Sequence, residues 1–298
     1  MSAGQIHDLG YQRYLGPRRA QGTRWVVIAR QQLGAAWRGW WRYKLWLIAS
    51  VIATAIAIAV LYLLSNRLFQ MLSSAAGKAG VSFADGMAAV SLEWYCKIAF
   101  IVSLTIGSAV VATDLSSGAF TFYFARSVRP RDYVLGKLAG LAALMGLVTG
   151  VGPLLLGLAR LGLSDSPADA LAHLAVVIKA AAIGALATGV YAAVPLGFSA
   201  LAGSRRNALA LWAGYYVLIG SMAQAIGLLG VPSIAALDLA TALKATAYEL
   251  FGLQLTGRAV HLSLGVAIGS VVAHVGLAIA VVGYRVRAAQ RTGVGGAG

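Results

Sequence analysis

Between Leu45 and Leu64 the chain runs for twenty residues without one charged side chain. As a helix rising 1.5 Å per residue, that run covers about 30 Å, the thickness of a bilayer's hydrocarbon. The rest of the chain has the same character. Hydrophobic residues make up 59% of the 298 and charged ones 11%, against roughly a quarter charged in soluble domains, and the mean hydropathy is +0.78. Five further apolar segments, at about 94–113, 134–159, 171–194, 208–230 and 262–284, are long enough to cross. The sequence therefore predicts an all-α polytopic membrane protein with six spans over 45–284. Gly150, Gly152 and Pro153 fall together inside the third, which predicts a tilt or a break there.

The net charge of +15 could belong to a nucleic-acid binder, but its distribution explains it otherwise. With the N-terminus cytoplasmic, the inner segments collect seventeen Lys and Arg against Asp8, Asp114 and Asp132. The outer segments hold five basic residues against six acidic ones. Such a bias sets orientation by the positive-inside rule. Both termini are expected in the cytoplasm, and no nucleic-acid partner is needed. Eight basic side chains and no early apolar run occupy the first 44 residues, so entry through the first span, without a cleavable signal, is expected. Cys96 is the one cysteine, which excludes an internal disulfide or a Cys-based zinc site within one chain.

Residues 1–22 read as an N-terminal cytoplasmic tail, and 23–44 as an amphipathic helix. Val26, Ala29, Leu33, Trp37 and Trp40 centre one face, and Arg24, Gln31, Arg38 and Arg42 the other. Trp25, Trp37, Trp40 and Trp41, with Leu33, suit the headgroup region, so the helix is expected along the inner leaflet. Two roles stay open for it: an anchor, or an elbow that packs on the bundle and transmits movement. On the outside, 231–260 contains short apolar helical stretches that lie at the interface or dip into the membrane. Residues 285–298 read as a flexible cytoplasmic tail.

The segment Asp114–Lys137 joins the second and third spans. It holds Phe120, Phe122, Tyr123 and Phe124, then Arg126 and a turn on Arg129-Pro130-Arg131. Aromatics that fill a pocket with arginines at its rim suit docking of a cytoplasmic partner. The alternative is an ordinary turn whose arginines enforce topology and whose aromatics sit in lipid. Small residues recur at four-residue spacing in Ala181-Ala185-Gly189-Ala193, Gly265-Gly269-Ala273 and Gly146-Gly150, a pattern for close helix packing. Lys179, Gln224 and His274 are polar groups inside spans and candidates for a pathway or gate; satisfied burial is the other reading.

The loop resembles that of the permease subunits of ABC-2 type ATP-binding-cassette transporters. Asp114 after span two, Gly118, the aromatic stretch 120–124, Arg129-Pro130-Arg131, Tyr133 and Gly136-Lys137 match the family pattern. Where many members carry a Glu-Arg-Glu cluster before the glycine, this chain has Asp114-Leu115-Ser116-Ser117. The resemblance implies an ABC-2, type V exporter-like fold with an N-terminal elbow helix, in a bacterial cytoplasmic (inner) membrane. It also implies a second permease subunit, more readily identical than related, and two cytoplasmic ATPase subunits. Coupling would run through Asp114, Gly118, Phe120, Phe122, Tyr123, Phe124, Arg126, Arg129, Pro130, Arg131 and Lys137, with the short helices at 231–260 near the exit.

No GxxxxGK[ST] loop occurs, because neither Gly77-Lys78 nor Gly136-Lys137 is followed by Ser or Thr. HExxH and a nucleophile-elbow GxSxG are absent too, and His7, His173, His261 and His274 are dispersed. The chain is thus expected to have no catalytic residues, no metal and no cofactor of its own, with ATP and Mg²⁺ on the partner ATPase. A scaffold recruiting a cytoplasmic protein through the same loop is the rival reading, and a secondary transporter or channel a third.

Overall fold

The computed structural model describes residues 23–66, 83–125, 128–253 and 260–291, apart from the side chains of Trp40, Arg42 and Ala125. Arg126, the Trp40 side chain and the tails 1–22 and 292–298 lie outside the described residues. Among those described, every regular element is helical: α1 (Arg24–Arg38), α2 (Leu45–Ser65), α3 (Met87–Ser116), α4 (Ala119–Ala125), α5 (Pro130–Gly162), α6 (Pro167–Leu201), α7 (Arg205–Leu228), α8 (Leu239–Phe251) and α9 (Leu264–Arg291). Six of them, α2, α3, α5, α6, α7 and α9, are long and apolar enough to cross a membrane. The ends that carry Arg129, Arg131, Arg205, Arg206, Arg285, Arg287 and Arg291 lie on one side by alternation, and are called the basic end below.

Local chemistry sets the helix starts. Pro167 and Pro130 occupy first-turn positions, where the missing N–H costs nothing. Ser166 and Ser204 cap α6 and α7 by accepting from the N–H groups of Asp169 and Asn207. The helix does not end at Pro153, where a tilt or a break is expected. Instead a π-helical turn at Gly146–Gly150 precedes it, widening the backbone where the proline ring would strike the preceding turn, and α5 continues to Gly162.

The long α6 is the centre, with α5 against one side and α9 against another. Contact is closest at glycine. A Cβ on Gly184 would come within 3.1 Å of the Gly150 backbone, and one on Gly197 within 2.8 Å of Ala278. The small-residue stripes read from spacing fare differently. Ala181 and Ala185 are exposed, and Gly189, Gly265 and Gly269 face open space. Gly150 of the third stripe meets Gly184, and Ala193 is buried, so spacing finds a stripe but not which of its members pack.

α3 is interrupted at Ser108–Ala109 and restarts at Val110. The Ser199 hydroxyl of α6 accepts from the N–H groups of both Val111 (2.9 Å) and Ala112 (3.0 Å), supplying the partners that the interruption removes. Just before it, Ser103 accepts from the Trp212 indole N–H at 3.0 Å. That indole belongs to an aromatic cluster with Phe100, Phe198, Tyr215 and Tyr216.

α1 lies along the first half of α5, by a different stripe from the tryptophans that were expected in the headgroup region. Ile28, Ala29, Gln32 and Ala36 are buried, whereas Trp25, Trp37 and Trp41 are exposed and Leu33 is only partly covered. The reason is in α5. A Cβ on Gly136 would stand 2.7 Å from the Ile28 side chain, and one on Gly140 3.2 Å from the Ala29 carbonyl. Two glycines one turn apart admit a backbone flanked by small side chains, and the bulky indoles turn away. At the far end of the chain, α9 runs to Arg291 in place of the flexible tail expected from 285. The Arg285 Nε donates to the Ala200 carbonyl at 3.0 Å, and Arg and Ala favour helix, so the element outlasts its apolar pattern.

Replacing Gly136 with Leu should therefore lower stability by about 2 kcal/mol and loosen α1. Replacing Gly265, whose Cβ position is empty, should not. Thermal melting in detergent, with protease cleavage of α1 as a second readout, distinguishes them; equal melting of both variants would remove the docking argument.

Candidate functional site

The loop between α3 and α5 is short, and its turns are built from specific residues. Gly118 stands at φ 67°, a left-handed conformation that side chains disfavour, and lets the chain turn from α3 into α4. Arg129 is extended, as a residue before proline prefers, and the Asp132 carboxylate accepts from its N–H at 3.2 Å.

The two ends of the loop are locked together. Asp114 Oδ2 lies 2.8 Å from Lys137 Nζ and accepts from the Tyr133 hydroxyl at 2.7 Å. Tyr133 and Lys137 are one turn apart on α5, with the ammonium 5.4 Å from the ring centroid. The carboxylate and ammonium side chains are only 17% and 11% exposed. Beneath this pair, Phe120 stacks on Phe124 at 5.5 Å and leans on Tyr133 at 4.9 Å, and Tyr123 meets Tyr133 edge-on at 5.4 Å. Burial, then the Asp114 charge, pushes the Tyr123 phenol up, so it stays neutral.

The loop aromatics thus divide. Phe120, 2% exposed, is spent inside the chain, with Tyr123 and Phe124 partly buried around it. Phe122, 73% exposed, points outward, as do Arg129 and Arg131. Behind the loop lies a recess of about 320 Å³, bordered by Gln32, Asp114, Tyr123, Lys137 and Arg205. The Gln32 amide is buried and makes no hydrogen bond. In the π-helical turn joining α1 to α2, the Tyr43 hydroxyl donates to the Leu144 carbonyl at 2.9 Å. Burial pushes that phenol up to about 12, so it remains a donor at any physiological pH.

The chain matches no known family model and no curated protein.

The other candidates, Lys179, Gln224 and His274, do not join the loop or one another. Gln224 Nε2 donates to Asp238 at 2.9 Å and to Thr241 at 2.6 Å. The buried Asp238 also caps α8, accepting from the N–H groups of Ala240 and Thr241. His274 bonds with Tyr215 and Ser270, and those two hydroxyls donate to the Leu237 and Ala236 carbonyls. Both residues thereby brace the 3₁₀ turn Pro232–Leu237 and the start of α8. Lys179 sits 5.7 Å from the Phe251 ring centroid at the other end of α8. Among the described residues, no cluster of His, Cys, Asp and Glu could hold a metal ion.

Sequence reasoning passed over three partners. Tyr133 was matched as a motif residue without its bond to Asp114, although its four-residue spacing from Lys137 put both on one face. Glu93 gathers Lys97 (2.9 Å) and Lys244 (3.3 Å) at a polar recess of about 310 Å³ between α3, α7 and α8. Asp85 binds Arg160 at 2.6 Å, close to His173. Glu93 and Lys97 are four residues apart on one helix and could have been found by spacing, whereas Lys244 and Arg160 lie too far from their acids in sequence to leave a local pattern.

Lys137→Met should destabilise the protein by roughly 3 kcal/mol, because it strands the Asp114 carboxylate in a buried site. Adding Asp114→Asn should recover much of that loss by removing the second charge. Melting in detergent checks both, and a double variant no more stable than Lys137→Met would argue against a coupled pair.

Proposed function

We propose that this chain is the membrane-spanning permease subunit of an ATP-driven ABC transporter of the ABC-2 class, working as an exporter. The observation that carries the reading is the braced loop at the basic end. Asp114, Tyr133 and Lys137 close its base, while α1 packs on the same α5 that carries Tyr133 and Lys137. Phe122, Arg129 and Arg131 remain on its outer surface. A loop that passes a push into the membrane needs a stiff base and a free contact surface, and this one has both.

On this reading the chain binds no nucleotide, and two cytoplasmic ATPase subunits supply ATP, Mg²⁺ and hydrolysis. Phe122 enters a pocket of the ATPase and the arginines pair at its rim. ATP draws the two ATPases together, the loop moves, and α5 and α1 move with it because they share one packed interface. A second copy of the permease completes the pathway, and the braced helices at 232–251 stand at its outer side. Orientation in a bacterial cytoplasmic membrane, with both termini inside, follows from the charge bias.

Native mass spectrometry of the protein extracted in mild detergent, after crosslinking in the membrane, should find two copies with two ATPase chains. Recovery without any ATPase after crosslinking would overturn the reading. Separately, Arg129→Glu with Arg131→Glu should weaken ATPase association at least about tenfold while leaving membrane insertion unchanged. Normal association and ATPase activity with that double variant would dismiss the docking assignment while sparing the class.

A further inference from the structure

At the basic end a groove of about 780 Å³ runs between the start of α5 and the last turns of α9. Three arginines border it: Arg131 from α5, and Arg287 and Arg291 from α9. All three are exposed, and among the described residues none is paired with a carboxylate. The nearest acid in sequence, Asp132, is buried and accepts from the Arg129 N–H. Arg287 and Arg291 are one turn apart on the same helix face, where like charges repel.

The remainder of the groove is apolar. Leu135, Ile279 and Tyr284 line it, and Gly283 leaves open space at its wall. Ile279 lies twelve residues before Arg291, about 18 Å along the helix axis, inside an apolar span. The positive-inside bias accounts for the sign of these arginines. It does not account for their convergence on one groove that continues into the hydrocarbon. A soluble partner could answer the arginines but could not reach the apolar depth.

We propose that this groove binds an anionic phospholipid, with the phosphate held by Arg287 and Arg291 and an acyl chain laid along Leu135, Ile279 and Tyr284. Basic pockets between spans attract anionic headgroups in this way, each Lys or Arg adding an electrostatic increment. The bound lipid cancels the repulsion on α9 and ties the end of α9 to the start of α5, beside the loop. The inference does not rest on the transporter reading, because lipid occupancy is read without an ATPase.

The test uses the full chain, delipidated in a neutral detergent and titrated with phosphatidylglycerol or phosphatidylcholine while native mass spectrometry counts bound lipid. The unaltered protein should prefer phosphatidylglycerol by about tenfold or more. Arg287→Gln with Arg291→Gln should abolish the preference, and Arg205→Gln with Arg206→Gln, an equal charge loss elsewhere, should leave it. Gly283→Phe, which fills the groove without changing charge, should lower phosphatidylglycerol binding and serves if the arginine variant does not fold. Glycerol phosphate, the headgroup without chains, should not displace the lipid. A preference that survives both groove variants, that falls equally with the Arg205/Arg206 change, or that glycerol phosphate abolishes would overturn the proposal.

Discussion

Hydrocarbon gives apolar helices no hydrophobic reason to leave it for one another, so the bundle depends on how closely backbones approach. Gly184 against Gly150, Gly197 against Ala278, and Gly136 and Gly140 against α1 are points of close approach. Each admits a neighbouring main chain to a distance that a side chain would forbid, and the dispersion contacts gathered there hold α6, α5, α9 and α1 together. The loop inherits its position from this packing, because α5 carries both the glycines that seat α1 and the tyrosine and lysine that hold Asp114.

The second requirement of a membrane is that polar backbone groups find partners inside the protein. The helices are repeatedly interrupted, and most interruptions are answered by a side chain from a distant helix. Ser199 serves the restart of α3, Ser50 donates to the Val148 carbonyl in the π-helical turn of α5, and Tyr215 and Ser270 serve the carbonyls of the outer 3₁₀ turn. These hydroxyls explain why polar residues stand within otherwise apolar segments, and Tyr215 and Ser270 also bond His274.

The spans and the amphipathic α1 were legible in sequence because hydropathy and helical period are local properties. So was the punctuation of the loop, where Gly118 and Pro130 act through their own backbone geometry. The direction each face takes was not. The tryptophans dominate the wheel of α1, while Ile28, Ala29 and Gln32 meet α5, because the deciding residues are two glycines more than a hundred positions away. Phe120 and Phe122 likewise stand two residues apart with like chemistry, and only the position of Tyr133 makes one core and the other surface.

The Ser199 hydroxyl has a mechanical consequence. Because α3 is interrupted at Ser108–Ala109, it is two rods and not one. Its outer rod is pinned at Ser103 by the indole of α7, and its inner rod, ending beside Asp114, is pinned by Ser199 of α6. The inner segment is thus bonded to α6 through the Ser199 oxygen as well as to the turn that precedes it in its own helix. The second span works as a jointed linkage whose two members answer to different posts.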